Sequence, residues 1–429
     1  MPSRTSSSST WQVYLLAITT FLVGTSEYVI AGILDLVAAD LDVDVSGAGQ
    51  LITLFSLVYA IGTPLVVALT SKIDRRLFIV AALGVFVASN VAAFLAPGYW
   101  TFVGTRVGMA LAAGAVVVAA LNLAVKISPE RHHGRAIATV VTGFTASLIL
   151  GVPAGRLVAD SLGWQAVFLF IAAAALLAGA VLWRALPSVA GDKPTPLAQQ
   201  LTLFRNPKVV RGLLITFFWL GGYSVAYTYL SPYLIEASGL AIGLISAALL
   251  AFGIASLIGS KAGGYLTDRW GVLPTLLGGM GLHVLALLAL SLVTGSPLLI
   301  IGVLVVWSLS AWSTGPTQQY HLATIEPGSS GVLLGLNQSM MQLAMAAGAG
   351  LGGLAVTGLS IRSVSWIAAA GVLVAIAITA STARQRPSTT AAATHAGSGV
   401  GSDHAPLEQW HVPASSPAGA DHQPARVSP

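Results

Sequence analysis

Two charged side chains sit deep in apolar sequence. Glu27 lies about 16 residues beyond Trp11 in one apolar stretch, roughly 24 Å along a helix at 1.5 Å per residue. A carboxylate at that depth is costly, so it must face a cavity or a partner. Burial favours its neutral form, which lets it take up and release a proton. Two roles are open to it: a proton carrier or substrate contact, and a structural acceptor for a neighbouring helix's hydroxyl. Asp35, Asp160 and Glu236 fall at span ends, so one proton-accepting carboxylate is the natural count. Arg106, a few residues inside the fourth apolar stretch, either organises the buried polar groups around the acid or snorkels to the surface.

Trp219, Tyr223 and Tyr227 recur at i, i+4 and i+8, on one helix face. Phenol hydroxyls in mid-span are unfavourable against lipid, so the stripe reads either as packing surface or as a cavity wall that stacks a flat ring. Trp307 and Trp312 repeat the theme. The amides Asn122, Gln318, Gln319, Asn337, Gln338 and Gln342 also fall within apolar stretches. Amides pair with ring edges while aromatics stack on ring faces, which suits a heteroaromatic substrate. Amides equally hold helices to one another.

The elements that position these residues follow from composition. Of 429 residues, 55% are hydrophobic and 8% charged, with mean hydropathy +0.83. Soluble proteins carry about 25% charged residues, so neither a soluble enzyme nor a nucleic-acid-binding domain can be built from this chain. The net charge of +5 comes from basic residues in short loops, not from a stripe that nucleic acid could use. With no cysteine, thiol chemistry and Cys-based metal sites are excluded. The sequence predicts no metal and no cofactor.

Crossing a bilayer takes roughly 20 apolar residues per helix. Such stretches lie at 11–37, 48–70, 77–96, 100–125, 136–159 and 166–183, then at 209–234, 240–267, 273–293, 298–322, 332–358 and 364–383. The sequence therefore predicts an all-α membrane protein with twelve transmembrane helices. It divides into an N-terminus (1–10), a first six-helix half (11–183), a polar linker (184–208), a second half (209–383) and a tail (384–429). The tail is rich in Ser, Thr, Ala, Pro and Gly and lacks apolar period, which predicts disorder; its His395, His404, His411 and His422 are spaced too irregularly for a metal site. With both termini cytoplasmic, seventeen of the twenty Lys and Arg fall inside, as the positive-inside rule requires. Only Arg156 and Arg362 are placed outside.

Six spans, a linker and six spans form the layout of a duplicated transporter with its site between the halves. The turn after the second span reads Asp74-Arg75-Arg76, and the turn after the eighth reads Asp268-Arg269. Such clusters can latch helix ends in one state and release them in another. Gly264-Tyr-Leu-Thr-Asp268-Arg269-Trp-Gly271 resembles the loop signature of the major facilitator superfamily; the first copy departs, with Thr70 in place of the leading Gly and no trailing Gly. Arg106-Val-Gly108 resembles that family's intramembrane arginine motif. Gly143, followed by Gly151-Val-Pro153-Ala-Gly155, is similar to the antiporter signature of its drug/proton exporters. Ser46 to Pro64 and Val306 to Gln319 look most like the sugar-efflux and purine-exporter branch.

The resemblance implies proton-coupled export of a small organic molecule by alternating access, from a bacterial cytoplasmic (inner) membrane, by a functional monomer in the lipid bilayer. The substrate would be purine-like, an antibiotic or a sugar. A proton-coupled uptake permease of the same fold is the alternative. Glu27 and Arg106 would serve coupling, Asp74, Arg75, Asp268 and Arg269 gating, and Gly151, Pro153 and Gly155 antiport. Tyr223, Tyr227, Asn122, Trp307, Gln318, Gln319 and Asn337 would bind substrate. Gly348-Ala-Gly350-Leu-Gly352-Gly353 matches a dinucleotide fingerprint, but no strand precedes it, so it reads as helix packing. No Walker loop occurs, and no nucleophile–base pair marks an intramembrane hydrolase.

Overall fold

In hydrocarbon a backbone must satisfy its own N–H and C=O groups, and a helix does so within one segment. The computed structural model describes residues 5–70, 72–129, 132–191, 203–326 and 330–383. Among these residues every regular element is helical, and 12 helices are long and apolar enough to cross a membrane. The first six spans are α1 (Thr5–Gly32), α3 (Val45–Leu69), α4 (Arg75–Phe94), α5 (Tyr99–Ile127), the pair α6 (His133–Ala146) and α7 (Val152–Leu162), and α8 (Trp164–Ala185), with a short α2 (Leu34–Asp40) after the first. The second six are α9 (Pro207–Thr228), α10 (Ile245–Trp270), α11 (Val272–Leu292), α12 (Pro297–Ile325), α13 (Ser330–Gly358) and α14 (Ser363–Ala383). The tail and its histidines lie outside the described residues.

The two sets of six share one neighbour pattern. The first span packs on the fifth as the seventh packs on the eleventh, the second on the fourth as the eighth on the tenth, and the third on the sixth as the ninth on the twelfth. Across the sets, α3 lies along α13, and the middle of the fifth span lies against α10.

Three spans depart from the continuous helices expected of them. The first breaks at Ile33 (φ −124°, ψ 17°), and α2 restarts at Leu34. The carbonyl of Gly32, freed by the break, accepts from Arg156 Nη1 at 3.2 Å. The seventh ends at Thr228 and continues as a turn, Leu230–Pro232, and a π turn, Tyr233–Ala237. In the fifth, Ser147–Gly151 is wound as a π-helix. Pro153 explains it: the ring has no N–H to give and crowds the carbonyl four residues earlier, so the ladder shifts there.

The same span approaches α1 closely. A Cβ at Gly143 would strike the backbone of Ala17, one at Gly151 the side chain of Thr25, and one at Gly155 that of Val29. The antiporter-like glycines, eight and four residues apart, thus form a seam on one helix face that brings the backbone of α1 against the fifth span.

At the end of the bundle where α1 begins and α14 ends, Asp74 caps α4. Its Oδ1 accepts from the N–H of Leu77 at 3.0 Å and its Oδ2 from the hydroxyl of Ser188 at 2.5 Å. The N–H of Arg75 donates to the carbonyl of Val189 at 2.8 Å. Arg76 lies 4.6 Å from the centre of the Trp183 ring and donates to the carbonyl of Leu186. This turn therefore fastens α4 to the chain leaving α8. Asp268 is exposed and, among the described residues, hydrogen-bonds nothing; Arg269 bonds Tyr265 on its own helix.

The bond from Ser188, followed by that from Leu77, holds the Asp74 carboxyl below its ordinary range. The anchoring is complete above the free carboxylate pKa of about 4 and is lost as pH falls through the lower folded value. Asp74→Ala removes a helix cap worth about 1 kcal/mol. Amide exchange at Arg75 and Leu77 should therefore rise roughly fivefold at neutral pH, whereas the native protein should show that rise only on acidification. Hydrogen-exchange mass spectrometry, corrected for intrinsic rates, reads both.

Candidate functional site

The close seam between α1 and the fifth span sets the rotation of α1, and with it the direction of Glu27. Glu27 is buried. Its Oε1 accepts from Nε2 of Gln342 on α13 at 3.0 Å, a bond from one half to the other across 315 residues of sequence. Its Oε2 has no partner. Glu27 lines a cavity of about 10 Å³ together with Phe55, Ser56, Tyr227, Thr228 and Met345, among others, which is the room of about one water molecule.

Arg106 is fully buried on α5. Its Nη1 donates to the carbonyl of Ser26, the residue before Glu27, at 2.9 Å, and its guanidinium stands 4.3 Å from the centre of the Phe55 ring. Nε and Nη2 are without partners. Arg106 thus grips the backbone of the acid's helix without forming an ion pair with the acid, and two of its donors remain free.

The face of the second half is aromatic. Tyr223 and Tyr227 stack with centroids 5.1 Å apart and 15° between planes. Tyr223 meets the edge of Trp312 at 6.1 Å, and Tyr227 meets Tyr28 of the first half at 6.5 Å. The Tyr223 hydroxyl and the indole N–H groups of Trp219 and Trp312 are buried without partners. Buried polar groups are ordinarily satisfied, and Tyr223 and Trp312 stand close enough that each is the other's nearest polar neighbour. Trp307 packs behind the stripe, and its N–H is already given to Nε2 of His283 at 2.7 Å.

The amides separate into different settings. Gln318 donates to the carbonyl of Gly212 at 2.7 Å and to Thr216 at 3.1 Å, and Thr216 donates to Asn337 at 2.8 Å. These bonds tie α9, α12 and α13 together, while Oε1 of Gln318 is left free. Asn122 is half-buried and Gln319 exposed. The structure thus brings Glu27, Arg106, Tyr223 and Tyr227 towards one region. It puts Trp307 behind that region and Gln318 and Asn337 beside it, and it leaves Gln319 on an exposed face.

Reasoning on the sequence placed two buried charges, Arg75 and Arg156, in loops. Arg156, assigned there to an outer loop, is fully buried within α7. Its Nη1 contacts Asp35 at 2.6 Å and its Nε contacts Asp160 at 3.0 Å. The acid four residues on, at Asp160, was the available signal. His283 was missed as well, because nothing in its own stretch marks the Trp307 partner.

Removing one partner from a buried carboxyl costs about 1–3 kcal/mol, whereas replacing both by apolar groups is nearly neutral. Gln342→Leu should therefore lower thermal stability in detergent by about that amount, and Glu27→Leu combined with Gln342→Leu should recover most of the loss. Additive losses in the double-mutant cycle would show that the two side chains do not interact.

Comparisons with known proteins agree with this architecture. Residues 16–348 match the family model of the Major Facilitator Superfamily. The uncharacterized MFS-type transporter YbcL of Bacillus subtilis is 58% identical over 369 residues, covering 86% of this chain and 95% of that protein. The inner membrane transport protein YdhP of Escherichia coli is 28% identical over 375 residues, covering 87% of this chain and 96% of that protein. Among solved structures, the inward-facing, occupied form of a bacterial homologue of the human lysosomal transporter Spinster superposes with a TM-score of 0.70. It is 15% identical and covers 88% of this chain and 97% of that one, a likeness of fold alone. With twelve apolar helices, two sets of six with one neighbour pattern and a polar site between them, the chain belongs to the Major Facilitator Superfamily and is a multi-pass membrane transporter of that type.

Proposed function

We propose that this transporter exports a small organic molecule in exchange for protons, by alternating access, with Glu27 as the proton carrier. The carrying observation is the setting of Glu27: a deep carboxyl with one oxygen bound to Gln342 of the other half and the other free beside a water-sized cavity. A hydrogen bond to a charged acceptor is worth about 1 kcal/mol more than one to a neutral acceptor. Protonation of Glu27 therefore weakens a bond that joins the halves, which links proton uptake to their relative movement. Arg106 positions the acid by holding the carbonyl of Ser26.

In this reading both termini are cytoplasmic, by the bias of the basic loops, and the protein works as a monomer in a bacterial inner membrane, the location named for YdhP. The antiporter-like seam of Gly151, Pro153 and Gly155 supports membership of the drug/proton antiporter group, near the sugar-efflux and purine-exporter branch. The substrate lies against Tyr223, Tyr227 and Trp312, where the phenol and indole groups and the stacked rings suit a flat, uncharged molecule with acceptor atoms on its edge. The Asp74–Arg75 and Asp268–Arg269 turns act as gates at the cytoplasmic end, the first fastened and the second free in this state.

Glu27→Gln should abolish accumulation driven by a pH gradient in everted vesicles while substrate counterflow persists. A variant that still builds a gradient from pH alone would remove Glu27 from the coupling. Tyr223→Ala should raise the substrate KM roughly two- to tenfold, the value of about one stacked contact, with a smaller change in maximal rate. An unchanged KM and substrate profile would make the stripe packing surface.

A further inference from the structure

The proton carrier leaves a second buried charge unused. Arg156 sits near the end of the fifth span, at the end of the bundle where α1 ends and α14 begins. Its Nη1 donates to Asp35 Oδ1 at 2.6 Å, to the hydroxyl of Ser231 at 3.1 Å and to the carbonyl of Gly32 at 3.2 Å, and its Nε reaches Asp160. The hydroxyl of Ser231 in turn donates to the same Asp35 oxygen at 2.8 Å. Arg156 and Ser231 are fully buried, and Asp35 is 20% exposed.

The cluster divides into two parts. Gly32, Asp35, Arg156 and Asp160 all belong to the first half and are tied to one another. Ser231 alone comes from the second half, in the turn after α9. Arginine keeps its charge under all ordinary conditions, and a buried guanidinium that lost its carboxylate would be left uncompensated. Asp35 and Asp160 both compensate Arg156 from within the first half and move with it, so Ser231, from the second half, is the member that can leave. The surrounding contact between halves is close but apolar and non-directional: Gly32 lies under Leu249, and Gly253 lies against the backbone of Ile149.

We propose that Ser231 and the Asp35–Arg156 pair form a clasp that holds this end of the bundle shut, with the serine hydroxyl as the releasable member. Breaking it exposes the pair to water, which replaces both bonds of the serine. Asp35 is then a positioning residue whose charge is spent on Arg156. The inference rests on the alternating-access reading above, but its test requires no transport.

The chain has no cysteine, so Leu249→Cys supplies a single thiol beneath the clasp, at a position 3% exposed in this structure. In detergent solution its labelling rate with a maleimide reads how often this end opens. Adding Ser231→Ala, or Asp35→Asn, should speed labelling about tenfold or more, the weight of a hydrogen bond to a charged group. Ser161→Ala, which removes an exposed hydroxyl near the same end, should leave the rate unchanged. If Ser231→Ala fails to give a monodisperse protein, Asp35→Asn decides the matter. Finite labelling at the same rate in every background would overturn the clasp. No labelling in any background, with full labelling after denaturation, would instead overturn the opening of this end and the alternating-access reading with it.

Discussion

The approach of α1 to the fifth span is the constraint on which the rest of the site depends. At Gly143, Gly151 and Gly155 there is no room for a Cβ between the two helices. Small residues let helices in a membrane approach until backbone meets backbone, where packing rather than hydrophobicity holds them. That contact fixes the rotation of α1. With the rotation fixed, Glu27 faces the second half and not the lipid, and the carbonyl of Ser26 reaches Arg106. Beyond the break at Ile33, Asp35 then meets Arg156. A helix free to roll by one residue would turn Glu27 by about 100°, as 3.6 residues per turn dictates, and all three relations would be lost together.

The two halves share a neighbour pattern but not a chemistry. Among the described residues, the buried Glu27, Arg75, Arg106 and Arg156 all lie in the first half. The second half offers aromatic rings, hydroxyls, amides and a histidine already engaged with Trp307. A charge is costly to move between water and hydrocarbon, and keeping the charges on one rigid body lets them retain their partners while the other body moves. The groups presented by the second half are neutral and can exchange protein partners for water or ligand at smaller cost. This asymmetry fits a duplicated fold in which one half holds the proton chemistry and the other stacks the substrate.

How much was legible in the sequence depended on the range over which each signal acts. The spans were legible because hydropathy sums over some twenty neighbouring residues, and Glu27 was legible because one acid in an apolar stretch needs no partner to be noticed. The π turn before Pro153 and the break at Ile33 were not read, because each is a local exchange of hydrogen bonds that leaves hydropathy unchanged. Gln342 was recognised as a buried amide, but its bond to Glu27 joins residues 315 positions apart, and no periodicity reports such a pair. Arg156 was misplaced for a different reason. Counting basic residues by loop treats charge near a span end as solvated, whereas a carboxylate on the preceding turn of a separate helix, with a serine from the other half, makes a buried setting that the count cannot register. Gln318 shows the reverse: the residue was singled out as a candidate contact, and the structure gives its amide N–H groups to Gly212 and Thr216 while leaving only its carbonyl free.

Two of the three hydrogen bonds described between the halves meet the chain on the same helix and its continuation; the third, from Arg156 to Ser231, comes from the fifth span. Glu27 bonds Gln342 in mid-bundle, and Asp35, eight residues on, bonds Ser231 at the far end. The break at Ile33 lies between them. Were the segment a single straight helix, the two links would lie on one rigid rod, and strain at either would pass undiminished to the other. With a break there, the second link can open by rotation about residues 32–34 while α1 stays seated against the glycines of the fifth span. In the proposed cycle this ordering matters. Release at the far end admits water to the region of Glu27, the acid takes up its proton from that side, and the bond to Gln342 then weakens only after access has changed. A sequence of that kind keeps the proton from passing through a bundle open at both ends, because the mid-bundle bond persists until the far end has committed to one state.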